Sequence, residues 1–256
     1  MKVTFPGLIA DAWRTWRADW EILSAVAGPF VFLPALAIAM LVPNLPAPPD
    51  GADMAPGSAA MIAYQQAFAA WRAHYGGWCL AAGIVSIFGQ FAMVALYASG
   101  DRPAVGRALG AALRRFPLLL VAGLIATLPV VVTFPLALLP GLVVAVFVVA
   151  FWVAARTLVM SPVLLAESIG PWAAVVRSLN LTRGNTFALA AAFATVLLAS
   201  EIAGAPFGML DQWMIKHAPN PVARAMVDTI LAGITAFGAI AMALVQVAAY
   251  RRLRTR

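Results

Sequence analysis

The chain has 256 residues, 63% of them hydrophobic and only 11% charged. A soluble domain carries about 25% charged residues, so a water-facing globule is excluded: too little polar surface is available to cover this much apolar side chain. The formal net charge of +7 raises nucleic acid as a partner, while the single cysteine, Cys79, rules out an intrachain disulfide and a cysteine-rich metal site.

In chain order, residues 5–20 place Ile9, Trp13, Trp16 and Trp20 on one helical stripe, with Asp11, Arg14, Arg17 and Asp19 mainly elsewhere around the helix. Three Trp in eight residues suit the headgroup level of a bilayer, so an interfacial helix is expected there. The apolar run 21–42 is too long for the core of a secretory signal and follows an amphipathic segment, so it reads as a retained first span, kinked at Pro34. Residues 43–58 are rich in Pro and Gly and contain no basic residue, the composition of an extramembrane loop. A partly exposed lead-in helix is expected over 59–75, then a second span over 77–99.

Gly100, Asp101, Arg102 and Pro103 break that span, and 103–116 is a second amphipathic segment with Arg107, Arg114 and Arg115. The third span is 117–137, interrupted by Pro129 and Pro135. Leu139-Pro140-Gly141 makes a tight turn, because Pro presets one backbone angle and Gly accepts a positive one. The fourth span is 142–166, the fifth 187–210 and the sixth 222–250, with a polar loop over 211–221. The expected fold class is therefore all-α: a polytopic membrane protein of six transmembrane helices with short amphipathic interfacial helices, forming one membrane domain.

This layout divides the 17 basic residues 14 against 3. One side collects Lys2, Arg14, Arg17, Arg102, Arg107, Arg114, Arg115, Arg156, Arg177, Arg183, Arg251, Arg252, Arg254 and Arg256; the other has Arg72, Lys216 and Arg224. Cytoplasmic connections carry the excess of Lys and Arg, so both termini are expected in the cytoplasm. Because the charge is spread over every connection on that side, no nucleic acid partner is expected. Three of those connections, beginning at Pro6, Pro103 and Pro171 and reaching Arg17, Arg115 and Arg183, share a form: a Pro, an amphipathic helix ending in Arg, then a hairpin of spans. Either duplication or convergence at a membrane surface would produce it.

The stretch 161–185, SPVLLAESIGPWAAVVRSLNLTRGN, is the most informative. Trp172, Val175, Val176 and Leu179 recur at helical spacing, Pro171 suits the first helical position, and Gly184 suits the residue just past the end. Asn185 is placed to cap the next helix. Glu167 can pair with Arg177 or Arg183, and both arginines can reach anionic headgroups. Glu167, Trp172, Arg177, Ser178 and Arg183 are thus candidate contacts for membrane lipid, anionic lipid in particular, or for a membrane or cytoplasmic protein partner. The alternative is a connector whose ion pairs only fix helix ends.

Leu139-Pro140-Gly141, Pro162-Val163-Leu164-Leu165, Glu167, Gly170, Arg177-Ser178-Leu179, Leu181-Thr182 and Asn185 together resemble a group of bacterial integral membrane proteins. That group includes the membrane domain of glycerophosphoryl diester phosphodiesterase and six-helix inner-membrane proteins of unassigned role. The resemblance is best over 140–187. It implies six spans and a bacterial inner-membrane location. It does not imply phosphodiesterase activity, because the hydrolase domain of that enzyme is a separate soluble barrel.

No catalytic residues, cofactor or metal are expected. His74 and His217 fall on different loops without carboxylates at ligand spacing, and HExxH, GxSxG and Gly-rich phosphate motifs are all missing from the sequence. The expected function is non-enzymatic, in membrane organisation or in lipid or partner binding at the cytoplasmic face. The alternative is a small-solute or proton-coupled transporter. Glu201 and Asp228 would carry it, as ionisable groups inside the fifth and sixth spans that could face each other; Arg224, four residues before Asp228, offers a local ion pair. Ser200, Gly204 and Gly208 form a row of small residues, which with Gly233 and Gly238 would let these two spans pack closely.

Overall fold

The computed structural model describes residues 3–49, 55, 57–98, 104–138, 142–217 and 220–255. It is 89% helical, with no strand among the described residues, and six helical stretches are long and apolar enough to cross a membrane. The expected fold class is the observed one. In chain order the helices are α1 (Phe5–Ala27), α2 (Leu33–Leu41), α3 (Ala59–Ala98), α4 (Val105–Thr133), α5 (Val143–Thr157), α6 (Met160–Ala166), α7 (Pro171–Leu181), α8 (Thr186–His217) and α9 (Pro221–Arg254). The turn 139–141 and the break 99–103 lie outside the described residues.

Several expected boundaries move. The first interfacial segment and first span form one rod, bent at Asp19, whose backbone leaves helical geometry (φ −127°, ψ 24°). The kink expected at Pro34 is displaced to a turn of wider π-type helix at Gly28–Phe32, where Leu33 N–H bonds the Gly28 carbonyl. Pro34 has no N–H and its ring crowds the carbonyl four residues back, so one widened turn just ahead of it relieves both problems. The lead-in 59–75 is continuous with the second span: α3 is 40 residues long, about 60 Å, twice the roughly 30 Å of a hydrocarbon core. Ser58 starts it, its hydroxyl accepting Met61 N–H. Likewise 105–116 runs straight through Pro117 into the third span, and 211–217, expected as loop, is the last two turns of α8. These amphipathic segments abut spans without a residue able to stop a helix between them, and a single Pro removes only one backbone bond. Of the three similar connectors, only α7 is a helix of its own.

α9 is the centre of the bundle. It packs on α8, α1, α3 and α2, and α6 reaches it from below. Over its last four turns it is buried on nearly every side, from Ala239 to Leu253, where Ala and Val let neighbours approach. α3 is similarly enclosed from Phe91 to Tyr97. α4 and α5 complete the circuit from α3 to α8. Close approach is marked by Gly238, where a Cβ would fall 2.5 Å from Ser200 Oγ, and by Gly89, where it would meet Phe30 Cβ at 2.5 Å. Gly233 and Gly208, by contrast, face open space, so the small-residue row does not run the whole length of the α8–α9 contact. Edge-on aromatic pairs Phe30–Phe88 (5.3 Å) and Phe88–Phe116 (5.4 Å) link α3 to the π turn and to α4.

Gly89→Ala is expected to destabilise the bundle by about 1–3 kcal/mol, because Phe30 Cβ belongs to the rigid π turn and must shift. Gly110→Ala, on a helix face with nothing within 4 Å, should be neutral or stabilising by up to about 1 kcal/mol. Thermal unfolding of the two variants in the same detergent checks the contrast; equal melting temperatures would contradict the Gly89 contact.

Candidate functional site

The polar side chains gather at one end of the bundle, where α1 begins and α9 finishes; Arg252 Nε donates to Asp11 across 241 residues of sequence, so both termini share this basic end. Asp11 also receives Arg14, one turn on. The neighbouring residues of α9 make equivalent ties. Tyr250 hydroxyl donates to Glu167 Oε1 (3.2 Å), and Arg251 Nη2 donates to the Tyr97 carbonyl (3.1 Å) at the end of α3. Tyr97 hydroxyl in turn donates to Asp19 Oδ2 (3.0 Å), at the bend of α1. The sequence reading counted these arginines as topology signals and missed the ties. The available signal was a Tyr-Arg-Arg run continuing the phase of an apolar helix.

The stretch 161–185 is built around a break. The fourth span covers Val143–Ala166, close to the expected 142–166, but its helix is interrupted after Thr157. Leu158 and Val159 interrupt it, and α6 turns inward to pack on α3, α4, α7 and α9 instead of on α8. The freed Arg156 carbonyl accepts from Ser178 Oγ (2.9 Å), and Thr182 Oγ1 lies 3.2 Å away; one hydroxyl comes from α7, the other from the residue just past its end, and both residues are fully buried. Thr182's one hydrogen has a nearer acceptor in the Ser178 carbonyl at 2.8 Å, so Ser178 is the principal donor. At the other end of α6, Arg115 donates from Nη1 to the Leu164 carbonyl (3.2 Å) and from Nη2 to Ser168 Oγ (2.7 Å). Ser168 has φ +51°, the left-handed turn that sends the chain into α7. Gly170, Pro171 and Gly184 (φ +82°) bound α7 as expected from the sequence. Asn185 immediately precedes α8, and its carbonyl accepts Leu189 N–H.

The five candidate contact residues therefore divide. Glu167 pairs with Arg177 (Nε to Oε2, 3.0 Å) rather than with Arg183. Trp172 is 67% exposed, and Arg183 is exposed in the turn before α8. Ser178 is the correction: a residue with no exposed surface, bonded to a backbone carbonyl, cannot touch lipid or a partner. Its hydroxyl is there because α5 breaks beside it.

The transport pair is not brought together. On the α8–α9 hairpin Ser200 lies against Gly238, Gly204 against Leu231 and Asp211 against Arg224, which puts Glu201 roughly six to nine residues, about 9–14 Å, from Asp228 along the axis. Glu201 is exposed on the outer face of α8, whereas Asp228 is buried. Arg224 does not pair with Asp228 as expected; its Nε donates to Asp211 Oδ1 at 2.9 Å, because α8 extends far enough to present that carboxylate. His74 and His217 stay on separate helices, and among the described residues no three His, Cys, Asp or Glu side chains converge as metal ligands.

One pocket at the basic end has only arginine as its charged lining among the described residues. About 430 Å³ in volume, it lies between the end of α3, the start of α4, α6 and the last turn of α9, with Arg107 and Arg254 in its wall and otherwise Ala and Leu. The neighbouring pocket of about 480 Å³, beside α1, is balanced instead: Asp11 and Asp19 face Arg14 and Arg251. Comparison with known protein families, with curated proteins and with solved structures finds no match in any of the three.

Ser178→Ala alone is expected to cost about 0.5–1.5 kcal/mol, since Thr182 can swing to the Arg156 carbonyl. Ser178→Ala with Thr182→Val leaves that carbonyl without either hydroxyl donor and should cost about 1–3 kcal/mol beyond the sum of the single changes. Denaturant unfolding of the single and double variants in micelles checks this; strict additivity would show that the two hydroxyls do not share the carbonyl.

Proposed function

We propose that this chain is a non-enzymatic, multi-pass protein of a bacterial inner membrane, with both termini in the cytoplasm, that gathers anionic lipid headgroups at its basic end. The observation that carries this reading is the pocket shared by Arg107 and Arg254: two exposed arginines from distant parts of the chain, with no carboxylate in the wall among the described residues. Two guanidinium groups at one small opening repel each other and favour a shared anion. Arg17, Arg114 and Arg183 are also exposed and make no ion pair among the described residues, so the field over this end is positive.

Tryptophan placement supports a bilayer across the bundle. Trp13, Trp20, Trp152 and Trp172 are exposed toward the basic end, and Trp78 and Trp213 toward the other, the two-belt pattern of interfacial aromatics. The excess of arginine at one end supports the cytoplasmic assignment. A relation to the membrane domain of glycerophosphoryl diester phosphodiesterase belongs to the same proposal and rests on the motif around Glu167 and Arg177. Transport through Glu201 and Asp228 gains nothing from their separation.

Each arginine near a charged surface contributes about 1 kcal/mol, so Arg107→Gln with Arg254→Gln should weaken retention of phosphatidylglycerol about 30-fold while leaving phosphatidylethanolamine unchanged. Native mass spectrometry of protein extracted in mild detergent and titrated with each lipid reads this directly. Equal phosphatidylglycerol retention by variant and wild type would reject the lipid reading. Loss of a co-purifying acidic protein, with lipid retention intact, would replace it with the protein-partner reading.

A further inference from the structure

A second feature lies on the opposite flank, away from the Arg107–Arg254 pocket. α5 and α8 diverge to leave an open groove of about 1010 Å³, walled by Val144, Phe147, Phe151 and Trp152 on one side and Phe187 and Phe193 on the other. Phe187 is 95% exposed, an aromatic ring held almost entirely off its own helix. At one end of the groove Arg156 stands just behind two of its lining residues, Thr186 and Trp152. Arg156 Nη1 lies 3.4 Å from Thr186 Oγ1, and its guanidinium is over the Trp152 ring at 5.6 Å. Arg156 Nε is buried without a hydrogen-bond partner.

The depth of this end follows from the α8–α9 register. Asp211 is bonded to Arg224 and Ser200 lies against Gly238, so continuing down the hairpin brings Thr186 level with the Arg251–Arg252 turn. It is thus at the headgroup level of the basic end, and the groove runs from it into the apolar span. From Arg156 to Val144 is about 18 Å of helix, close to the depth of one leaflet, which is half of a roughly 30 Å core. The groove is therefore the length of one acyl chain.

Charge identifies the occupant. α4, α5 and α7 contain no acidic residue, and the first on α8, Glu201, is 15 residues beyond Thr186. Glu167 on the far side of α7 already accepts from Arg177 and Tyr250. Arg156 consequently has a planar donor fork and no carboxylate partner among the described residues, while its backbone is fixed by Ser178. The first N–H groups of α8, a helix of 32 residues, begin at Thr186 and add positive potential at the same spot. A neutral lipid would satisfy the aromatic wall and leave the fork empty. A soluble phosphate would fill the fork and leave the wall facing other lipids.

We propose that the α5–α8 groove binds one anionic phospholipid of the phosphatidylglycerol type, its phosphate at Arg156 and Thr186 and one acyl chain along Phe151, Phe193 and Phe147. This rests on the lipid-binding reading above and adds a discrete, stoichiometric site to it. The phosphate draws the guanidinium off Trp152 and gives Nε an acceptor. Arg–phosphate recognition through two parallel N–H groups sets the headgroup, and the leaflet-long groove sets the chain.

The test uses the full-length protein and counts phosphatidylglycerol molecules by native mass spectrometry across a lipid titration. The wild type should keep one phosphatidylglycerol that survives activation after the weaker ones dissociate. Arg156→Gln should weaken that last molecule about tenfold or more, and Arg156→Lys should only partly restore it, since Lys keeps the charge and loses the fork. Ala190→Trp, which fills the groove without touching the charge, should abolish the same molecule. Should Arg156→Gln fail to fold, Ala190→Trp decides alone, with its melting temperature as the control. Retention of the last phosphatidylglycerol by folded Ala190→Trp overturns the site, as does equal retention by folded Arg156→Gln. If the last molecule is lost only in the Arg107/Arg254 double variant, the pocket reading stands and this one fails. If no variant loses any, both fail.

Discussion

Everything at the basic end depends on the last turn and a half of α9. Tyr250, Arg251 and Arg252 each hold a different partner: Glu167 at the end of α6, the Tyr97 carbonyl at the end of α3, and Asp11 on α1. In a bilayer, apolar side chains gain little by leaving lipid for one another, so van der Waals contact and hydrogen bonds decide which helices stay together. Small residues give α9 the close contact along its length, and the three polar ties fix its rotation and register against its neighbours. A long helix with Ala and Gly on most faces has several rotations of similar packing energy. Three directional bonds at one end select one of them. α9 thereby sets the arrangement of its neighbours at the basic end.

The second constraint is the break between α5 and α6, and its cause lies far from the break in sequence. Thr157, Leu158, Val159 and Met160 contain nothing that ends a helix, and Pro162 alone would only kink it. What makes an interruption tolerable is a replacement partner for the Arg156 carbonyl, and Ser178 on α7 with Thr182 just past its end supply it. Arg115, from α4, performs the same service at the other end of α6. The polar residues of the stretch 161–185 are thus largely spent on backbone groups that a non-helical corner would otherwise strand inside the bundle. Their spacing records the geometry of a corner, and an interaction motif would be expected to leave such residues at the surface.

How far the fold was legible follows from the same distinction. Six apolar runs declare six spans, because hydrocarbon thickness acts on each run independently and needs no knowledge of its neighbours. The boundaries at Gly170-Pro171 and Gly184 were legible for a local reason as well, since Pro and Gly set backbone angles wherever they stand. Misplaced boundaries were of two kinds. At 59–75, 105–116 and 211–217 a change from polar to apolar sequence looked like a change of element, but polarity alters the surroundings of a helix without stopping it. At Asp19 and Leu158–Val159 the backbone does change, for tertiary reasons: Tyr97 and α7 respectively hold what the local sequence does not announce.

The same distinction governs the arginines. Counted as charges, they identify one end of the bundle as basic, and that count is insensitive to what each one touches. Placed in the structure, they separate into two groups. Arg115, Arg177, Arg251 and Arg252 are committed to protein carbonyls, hydroxyls or carboxylates, whereas Arg107 and Arg254 line an opening with no carboxylate among the described residues, and Arg156 meets the Thr186 hydroxyl and the Trp152 ring. A committed arginine costs stability when removed and has little spare donor capacity for a ligand. An uncommitted one keeps its donors free for an external anion. The sequence offers Arg177 and Arg183 alike as headgroup contacts; in the structure Arg177 is occupied by Glu167. Among the clustered arginines, the informative ones are those that make no ion pair with a carboxylate among the described residues, a property of tertiary neighbours that no single helical stripe contains.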